Sequence, residues 1–410
     1  MVSLEQIGIS DFQSYSLKGK LFEREEDFKV QEIEEDGTIL KLEREENRET
    51  IGEKKDYLLF TLVKRGISTP EAIRLIARTL HISFKRIAYN GNKDKRALTS
   101  QRISIFKLAS ENLNLDSERL YCRDITYSDE SCKIGKLYGN HFTVTVKEAD
   151  LQNNVIQKIS EEIPKELPNF YGPQRFGSSS LNIDISRNII KRDFKAAFYD
   201  LVLRERVESQ LNKQKRSELK DVFSPYLEGK DIDIEKAKDL LLHLPGFMYF
   251  ERESLYYLLQ HKNDYIGAIR LMPKYIRLLV IQSYQYYLFN RTLSEFTKIK
   301  KEGYAESYIP MVGYDLQLKD DEIGSLIKEI LKQEGIEDLS VFKISSMPEA
   351  SLKSFLHPAF FVPENFKIEK DGENIQISFD LRKGSYATIL LIKLFGVENV
   401  YSNGHSEIQL

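Results

Sequence analysis

The sequence has few cysteines and no long apolar run. Among its 410 residues only Cys122 and Cys132 are cysteines, and they are ten residues apart with no CxxC spacing and no nearby pair of histidines. The sequence therefore predicts neither a zinc site nor a disulfide framework, which favours a reducing compartment. The first twenty residues have no apolar core, and no run of 18 apolar residues occurs. We expect neither secretion nor a membrane span, and a cytoplasmic location.

The length points to more than one domain, because single cores rarely grow past about 250 to 300 residues. Both ends of the chain show the alternating patterns of strands, whereas residues 181–300 are mostly helical in pattern. The fold class predicted is α+β. A domain with a mixed or antiparallel sheet would be built from both chain ends, and a largely helical α/β domain would be inserted between them.

Charge is unevenly distributed along a nearly neutral chain. Residues 64–107 hold eleven Lys or Arg and only two acids, whereas residues 23–56 hold fourteen acids and seven bases. A concentrated basic segment is what binding to a phosphate backbone requires. A solvated helix face is an equally good explanation on charge alone.

A polar stretch, residues 90–101, lies between two apolar patterns and predicts a loop held between strands. Before it, Ser68 and Glu71 have the spacing of a capping box and predict the start of a helix. Near the C-terminus, Ser385 is predicted to cap a helix that runs to Gly396. The loop carries Asp94, but a single acid in a polar turn is usually only a solvated side chain.

Five short motifs in a fixed order change that interpretation. The loop 90–101 (NGNKDKRALTSQ) fits the pattern G-x-K-D-[KR]-x-A-x-T-x-Q, and residues 169–177 (NFYGPQRFG) fit N-[FY]-[FY]-G-x-Q-R-F-G. Residues 27–32 (DFKVQE), 139–142 (GNHF) and 383–388 (KGSYAT) fit D-F-x-V-x-E, G-N-x-F and G-S-[FY]-A-T. Together these motifs, spread from residue 27 to residue 388, resemble those of the TruD family of tRNA pseudouridine synthases.

The resemblance implies a fold and an activity. Residues 1–167 and 356–410 would form a catalytic domain of the pseudouridine synthase type, and residues 168–355 an inserted TRUD domain. The implied enzyme is an isomerase that converts a uridine of tRNA, at position 13 for this family, into pseudouridine. The partner it implies is tRNA, and the sequence predicts no oligomeric state.

The chemistry of this reaction agrees with what the sequence contains. The C1′–N1 bond breaks, the detached uracil turns, and C1′ is joined to C5, so neither redox nor phosphoryl transfer occurs. No cofactor and no metal is expected, and no Walker loop, GxGxxG or metal cluster is found in the sequence. One ionised carboxylate is required, and the resemblance assigns that role to Asp94. Its neighbours Lys93 and Lys95 favour the charged form, and attack on the base or on the sugar both remain open.

The resemblance also implies side chains that bind the nucleotide, which must leave the base stack to react. Phe28, Phe142 and Tyr386 are expected to pack against it, and Asn140 to hydrogen-bond it. RNA binding or loop support is expected of a second group: Lys93, Lys95, Arg96, Thr99, Gln101, Gln174 and Arg175. Within this group, Thr99 and Gln101 are expected to fix the loop through hydrogen bonds to backbone. For Arg175, a phosphate contact and a structural role are both open.

The sequence departs from the family pattern at two places. Phe22 stands where the family usually has a Lys or Arg that can pair with the catalytic aspartate, and Lys20 or Arg24 could substitute. Ser186 stands at a usual glycine, where we expect a local change of backbone.

Two other functions compete with the isomerase. An RNA-binding protein of the same fold without turnover is suggested by Phe22, although the intact Asp94 loop opposes it. A carbohydrate hydrolase would need a second positioned acid, and no motif supplies one.

Overall fold

We describe the chain from a computed structural model, in which the described residues are 2–44, 52–149, 151–163, 165–177, 180–299 and 307–402. The strands are β1 (Phe28–Ile33), β2 (Tyr57–Arg65), β3 (Ile87–Tyr89), β4 (Leu98–Phe106), β5 (Leu120–Ser128), β6 (Gly139–Val146), β7 (Leu167–Pro168), β8 (Tyr308–Met311), β9 (Phe355–Pro358), β10 (Phe360–Phe361), β11 (Glu364–Asp371) and β12 (Asn374–Arg382). The helices are α1 (Thr69–Thr79), α2 (Asn153–Glu162), α3 (Leu181–Ile190), α4 (Phe194–Val202), α5 (Gln210–Leu227), α6 (Ile234–Leu242), α7 (Tyr249–Gln260), α8 (Tyr265–Arg270), α9 (Lys274–Ile299), α10 (Glu322–Gln333) and α11 (Ala387–Ser402).

Eight of the described strands form one mixed sheet in the order β11-β12-β6-β1-β4-β2-β5, with β3 added on β4. The β1–β4 pair is parallel and the other pairs are antiparallel. Strands from the two chain ends meet where β12 pairs with β6. The predicted α+β class with a mixed sheet from both chain ends is confirmed.

Helix α1 begins where its sequence predicts. The Ser68 hydroxyl accepts a hydrogen bond from the Glu71 amide, and the Glu71 carboxylate accepts one from the Ser68 amide at 2.8 Å. This reciprocal capping satisfies two amide donors at the helix start. Ala72, Ile73 and Ile76 then pack on the apolar side chains of β2, β4 and β5, where the main core of this half of the sheet lies.

Two compact units divide the described residues. One unit runs over 14–169 and 360–402 and contains the eight-stranded sheet with α1, α2 and α11. The other runs over 2–13 and 170–359 and contains α3 to α10 with the strand pair β8–β9. The domain boundaries given by the sequence stay a prediction, and residues 403–410 of the predicted catalytic domain lie outside the described residues.

The helical unit is organised around α9. The Asn290 side-chain amide donates to the carbonyl groups of Ile7 and Tyr171, and its oxygen accepts from the Tyr171 amide, each at 2.9 Å. Helix α3 packs on α9, where the Ser186 hydroxyl donates to the Ile281 carbonyl at 2.5 Å. At the position of the usual glycine, Ser186 therefore lies within a regular helix, without the local change of backbone that was expected. Its hydroxyl adds a hydrogen bond between the two helices.

One predicted boundary was wrong. The loop predicted for residues 90–101 ends at Ala97, because Leu98 to Gln101 already pair with β1 and β2 as the start of β4. The helix expected to end at Gly396 is interrupted there, because Gly396 has non-helical angles (φ 78°, ψ 161°) that a glycine adopts readily, and a second helical segment of α11 follows to Ser402. Among the described helices, none has both the length and the apolar character that a membrane crossing requires.

Candidate active site

The loop that carries Asp94 joins β3 to β4 and ends in the middle of the sheet. Its last residue is followed by Leu98 and Thr99, which lie beside Lys29 and Val30 of the parallel strand β1. The Asp94 side chain is half-buried. Three groups of buried polar contacts hold the loop in place, and they involve residues that the sequence motifs alone did not explain.

The first contact comes from below the loop, from Lys64 of β2. This lysine is fully buried, and its ammonium nitrogen lies 2.7 Å from the carbonyl oxygen of Asp94, 2.8 Å from that of Ile67 and 3.3 Å from that of Lys93. In the sequence, Lys64 is only the first cation of the basic segment. The signal that could have found it is its place near the end of an apolar strand, where an uncompensated charge is costly.

Burial lowers the pKa of Lys64 from its ordinary value to about 7. Nearby charges act on it as well. The Asp94 carboxylate is the strongest influence that favours the ammonium form, Glu71 acts in the same direction, and Lys93 opposes it. Lys64 is therefore a buried cation that bonds the Asp94 backbone and is close enough for its charge to interact with the Asp94 carboxylate.

The second contact is a buried ion pair between Lys93 and Glu32 of β1. The Lys93 nitrogen lies 2.8 Å from Glu32 Oε2, and the two side chains are 2% and 0% exposed. The other oxygen, Glu32 Oε1, accepts hydrogen bonds from the Asn90 side chain at 3.0 Å and from the Arg102 amide at 3.3 Å. Lys93 thus anchors the loop to the sheet, and its burial leaves no surface for a phosphate.

The third contact runs through Thr69, the first residue of α1. Its hydroxyl donates to Gln101 Oε1 at 2.9 Å and accepts from the Lys93 amide at 3.0 Å. The Gln101 amide nitrogen in turn donates to the Gly91 carbonyl at 3.2 Å. Gln101 therefore makes the bond to loop backbone that the sequence predicts. Thr99 does not, because its buried hydroxyl has no hydrogen-bond partner.

A row of aromatic rings crosses the sheet over β1, β6 and β12. Phe142 stacks on Phe28 with ring centroids 6.0 Å apart and on Phe379 at 5.2 Å, and Phe22 meets Phe28 edge to face at 5.2 Å. The two flat faces of Phe142 therefore lie against other rings. Phe142 has only its edge left to offer a nucleobase, whereas stacking on an aromatic face is the usual mode of contact.

The two other residues expected at the nucleotide, Asn140 and Tyr386, are both half-buried. Asn140 lies directly opposite Glu32 in the β1–β6 pair, and its side-chain oxygen is buried without a hydrogen-bond partner. A buried acceptor without a partner is uncommon and is a candidate for a ligand contact. Tyr386 is half-buried in the turn before α11, and its carbonyl accepts from the Ile389 amide at 3.0 Å.

The segment before β1 and the segment after Asp94 line one cavity of about 440 Å³. Phe22, Arg24 and Arg96 are among its lining residues. Phe22 is only 7% exposed, and its ring packs against Phe28. Of the two substitutes considered for the missing cation, Lys20 is ion-paired with Glu148, and Arg24 is exposed at the cavity.

Most of the basic segment 64–107 is engaged within the protein. At least six of its eleven cations make hydrogen bonds or ion pairs within the protein, namely Lys64, Arg65, Arg86, Lys93, Lys95 and Arg102. Lys95 pairs with Glu71 at 3.3 Å. Arg65 is exposed although it is paired with Glu26, and Arg74, Arg78, Lys85, Arg96 and Lys107 are exposed as well. The local excess of positive charge is therefore smaller at the surface than the sequence count suggested.

Gln174 and Arg175 belong to the helical unit, in the short turn of 3-10 helix Pro173–Arg175, and both are half-buried. Near them His357 stacks on Tyr171 with ring centroids 4.8 Å apart. Burial, and then the charge of Arg175, lower the pKa of His357 to about 4.

In the described part of the chain, no three His, Cys, Asp or Glu side chains are arranged to hold a metal ion.

Most of the chain is similar to proteins of one known family. The family model of tRNA pseudouridine synthase D (TruD) matches residues 9–302 and 295–394. A relative from Methanopyrus kandleri, named Probable tRNA pseudouridine synthase D, is 31% identical over 88% of this chain and 91% of its own length. One of the same name from Nanoarchaeum equitans is 32% identical over 83% of this chain and 87% of its own.

The fold is also that of a solved structure. A crystal structure assigned to tRNA pseudouridine synthase D (TruD) from Methanosarcina mazei superposes with a TM-score of 0.73 and 25% identity, over 97% of this chain and 98% of that one. The resemblance that the five motifs predicted is confirmed, and so is the prediction of an isomerase. The chain belongs to the TruD family of tRNA pseudouridine synthases.

Proposed function

We propose that this protein converts the uridine at position 13 of tRNA into pseudouridine, with Asp94 as the catalytic carboxylate. The observation that carries the proposal is the way the Asp94 loop is held. Lys64, the Lys93–Glu32 pair and Gln101 fix its backbone from three sides, while the Asp94 side chain stays half-buried at the surface of the loop. Rigid support of one reactive group is what catalysis by positioning requires.

The reaction exchanges two bonds within one nucleotide. The C1′–N1 bond and the C5–H bond break, the C1′–C5 bond forms, and a proton is returned to N1, so atoms balance without a co-reactant. Asp94 can form a transient ester at C1′ or add to C6 of the uracil ring. The same residues serve both routes.

Residues around the loop would hold the nucleotide and the RNA strand. Asn140 offers a buried oxygen without a partner, which an N–H group of uracil can donate to. Tyr386 is the most exposed of the three aromatic candidates, since Phe28 and Phe142 are 5% and 6% exposed. The aromatic row of Phe22, Phe28, Phe142 and Phe379 then serves as an apolar wall and not as a stacking platform.

Phosphate binding would fall to the exposed cations of the basic segment. Arg74 and Arg78 are one turn apart on α1, and Thr69 at the start of that helix is bonded to the Asp94 loop. A strand of RNA following α1 would therefore lead to Asp94. Counterion release by these side chains would make binding strongly dependent on salt.

The direct test is to incubate an unmodified tRNA transcript with the protein and to map pseudouridine by carbodiimide-blocked primer extension. We expect a stop at position 13 with the wild type and none with Asp94→Asn, while Asp94→Asn still binds tRNA. Asp371→Asn, at the exposed end of β11, is the matched control and should retain full activity.

The same experiment decides between turnover and binding alone. If the wild type binds tRNA and forms no pseudouridine at any position, the chain is an RNA-binding protein of this fold. If Asp94→Asn remains active, the catalytic role of Asp94 is wrong. A stop at a different uridine would keep the chemistry and correct the target.

A further inference from the structure

Lys64 is bonded in a way that matches an ammonium group. A charged lysine has three N–H donors, and three backbone carbonyl groups lie within hydrogen-bond distance of its nitrogen. Two of these carbonyl groups belong to consecutive residues of the catalytic loop, Lys93 and Asp94. The third belongs to Ile67, in the short segment between β2 and α1. A neutral amine has two N–H donors and would leave one of these carbonyl groups without a donor.

The charges that face Lys64 come from two directions. Asp94 and Lys93 lie on the loop above it, and Glu71 lies on α1 and is itself paired with Lys95. Its neighbours in the sheet, Thr99 on β4 and Leu120 on β5, carry no charge. The Asp94 carboxylate is therefore the strongest attraction available to a cation in this otherwise buried position.

We propose that Lys64 is the positioning residue of Asp94. Lys64 fixes the peptide groups on either side of the catalytic side chain and sets a positive charge beneath the Asp94 carboxylate. This inference rests on the proposed function of Asp94. Phe22 leaves no cation at the place where the family usually has one. In this chain Lys64 of β2 supplies a supporting charge.

Protonation of Lys64 then links the loop to pH. With a pKa of about 7, the ammonium form dominates in mildly acidic solution and the amine form in alkaline solution. Loss of the proton releases one of the three carbonyl groups and removes the charge under Asp94, so the rate of catalysis falls as the pH rises above about 7.

Stability responds to the same titration with the opposite sign. The pKa of Lys64 is lower in the folded chain than in the unfolded chain, so between about 7 and the ordinary lysine value of 10.5 only the unfolded chain keeps the proton. The unfolded state then binds more protons, and the contribution of Lys64 to stability rises with pH across this window. A fall in activity over this window therefore cannot be attributed to unfolding caused by Lys64.

The test measures single-turnover release of tritium from tRNA labelled at uridine C5, between pH 6 and pH 9. The variants are Lys64→Met, which removes the charge and keeps an unbranched side chain, and Lys64→Arg, whose guanidinium stays protonated throughout. We expect Lys64→Met to lose about 100-fold in rate at pH 6.5, as a small displacement of a reactive group does, with tRNA affinity changed less than threefold. Lys367→Met, on the exposed side of β11, is the matched control and should behave as wild type.

The pH profile separates positioning from a general structural role. The wild type should lose rate above about pH 7, whereas Lys64→Met should be slow and flat. Lys64→Arg should retain more activity than Lys64→Met and show no alkaline loss. A rate for Lys64→Met within threefold of wild type, or an alkaline loss that persists in both variants, would overturn the proposal.

Folding and function are controlled separately. If Lys64→Met does not fold, judged by its thermal transition, the profile of Lys64→Arg alone decides the question. If the wild type forms no pseudouridine, the proposed function fails, and hydrogen exchange of peptides covering residues 90–98 tests Lys64 instead. Exchange should then be faster in Lys64→Met than in wild type at pH 6.5; equal exchange would refute the positioning role.

Discussion

The ammonium nitrogen of Lys93 lies 2.8 Å from a carboxylate oxygen of Glu32, and water reaches almost no part of either side chain. Lys93 directly precedes Asp94, so this ion pair connects the catalytic loop to β1. On the other side of Asp94, Lys95 forms a second ion pair with Glu71. The side chains of Lys95 and Glu71 are 43% and 45% exposed. The loop therefore contains one buried and one exposed ion pair that can be compared directly.

We expect Lys93→Met to destabilise the protein by about 3–5 kcal/mol, because it leaves the Glu32 carboxylate buried without its counterion. Lys95→Met should cost less than about 1 kcal/mol, since its pair is screened by water. Urea unfolding of the two variants and the wild type gives both values. Similar losses in the two variants would contradict the distinction drawn from burial.

Two buried threonines near the loop predict opposite responses to the same substitution. Thr69→Val removes a hydroxyl that bonds Gln101 and the Lys93 amide, and should cost about 1–3 kcal/mol because a buried amide donor loses its partner. Thr99→Val removes a buried hydroxyl that has no hydrogen-bond partner, and should leave stability unchanged or raise it. Urea midpoints measure both, and a comparable loss for Thr99→Val would refute the assignment.

The sequence predicted the fold class, the start of α1 and the identity of the family, because these depend on local periodicity, capping and ordered motifs. It could not predict which cations of the basic segment reach the surface. Lys64 and Lys93 look like phosphate ligands in a charge count, but in the structure Lys64 is buried in β2 against the backbone of the loop, and Lys93, within the loop, is buried against Glu32. Phe142 was expected at the nucleotide because its contacts with Phe28 and Phe379, which come from distant parts of the chain, cannot be seen in the sequence.

Exposed arginines on α1 should contribute to tRNA binding. Arg74→Ala combined with Arg78→Ala should weaken binding and lower the slope of log affinity against log salt by about one for each phosphate that these arginines bind. Filter binding of a tRNA transcript at several salt concentrations measures the slope. Lys367→Ala combined with Lys370→Ala, two exposed residues of β11, is the matched control, and an equal effect of both pairs would show that the arginines of α1 have no special role.

The lowered pKa of His357, in the helical unit, predicts how stability changes in acid. Burial against Tyr171 and Phe289 lowers its pKa to about 4, below the ordinary value of 6.5. Between these values the unfolded chain takes up a proton that the folded chain does not, so stability falls as the pH drops from about 6.5 to about 4. His357→Phe keeps a flat ring but cannot titrate, and urea unfolding at pH 7.5, 6 and 5 should show a smaller loss towards acid than in wild type. The two proteins differ in this pH window only by the titration of His357 and of groups coupled to it. If His357→Phe lost as much stability towards acid as the wild type, groups other than His357 would govern the acid response.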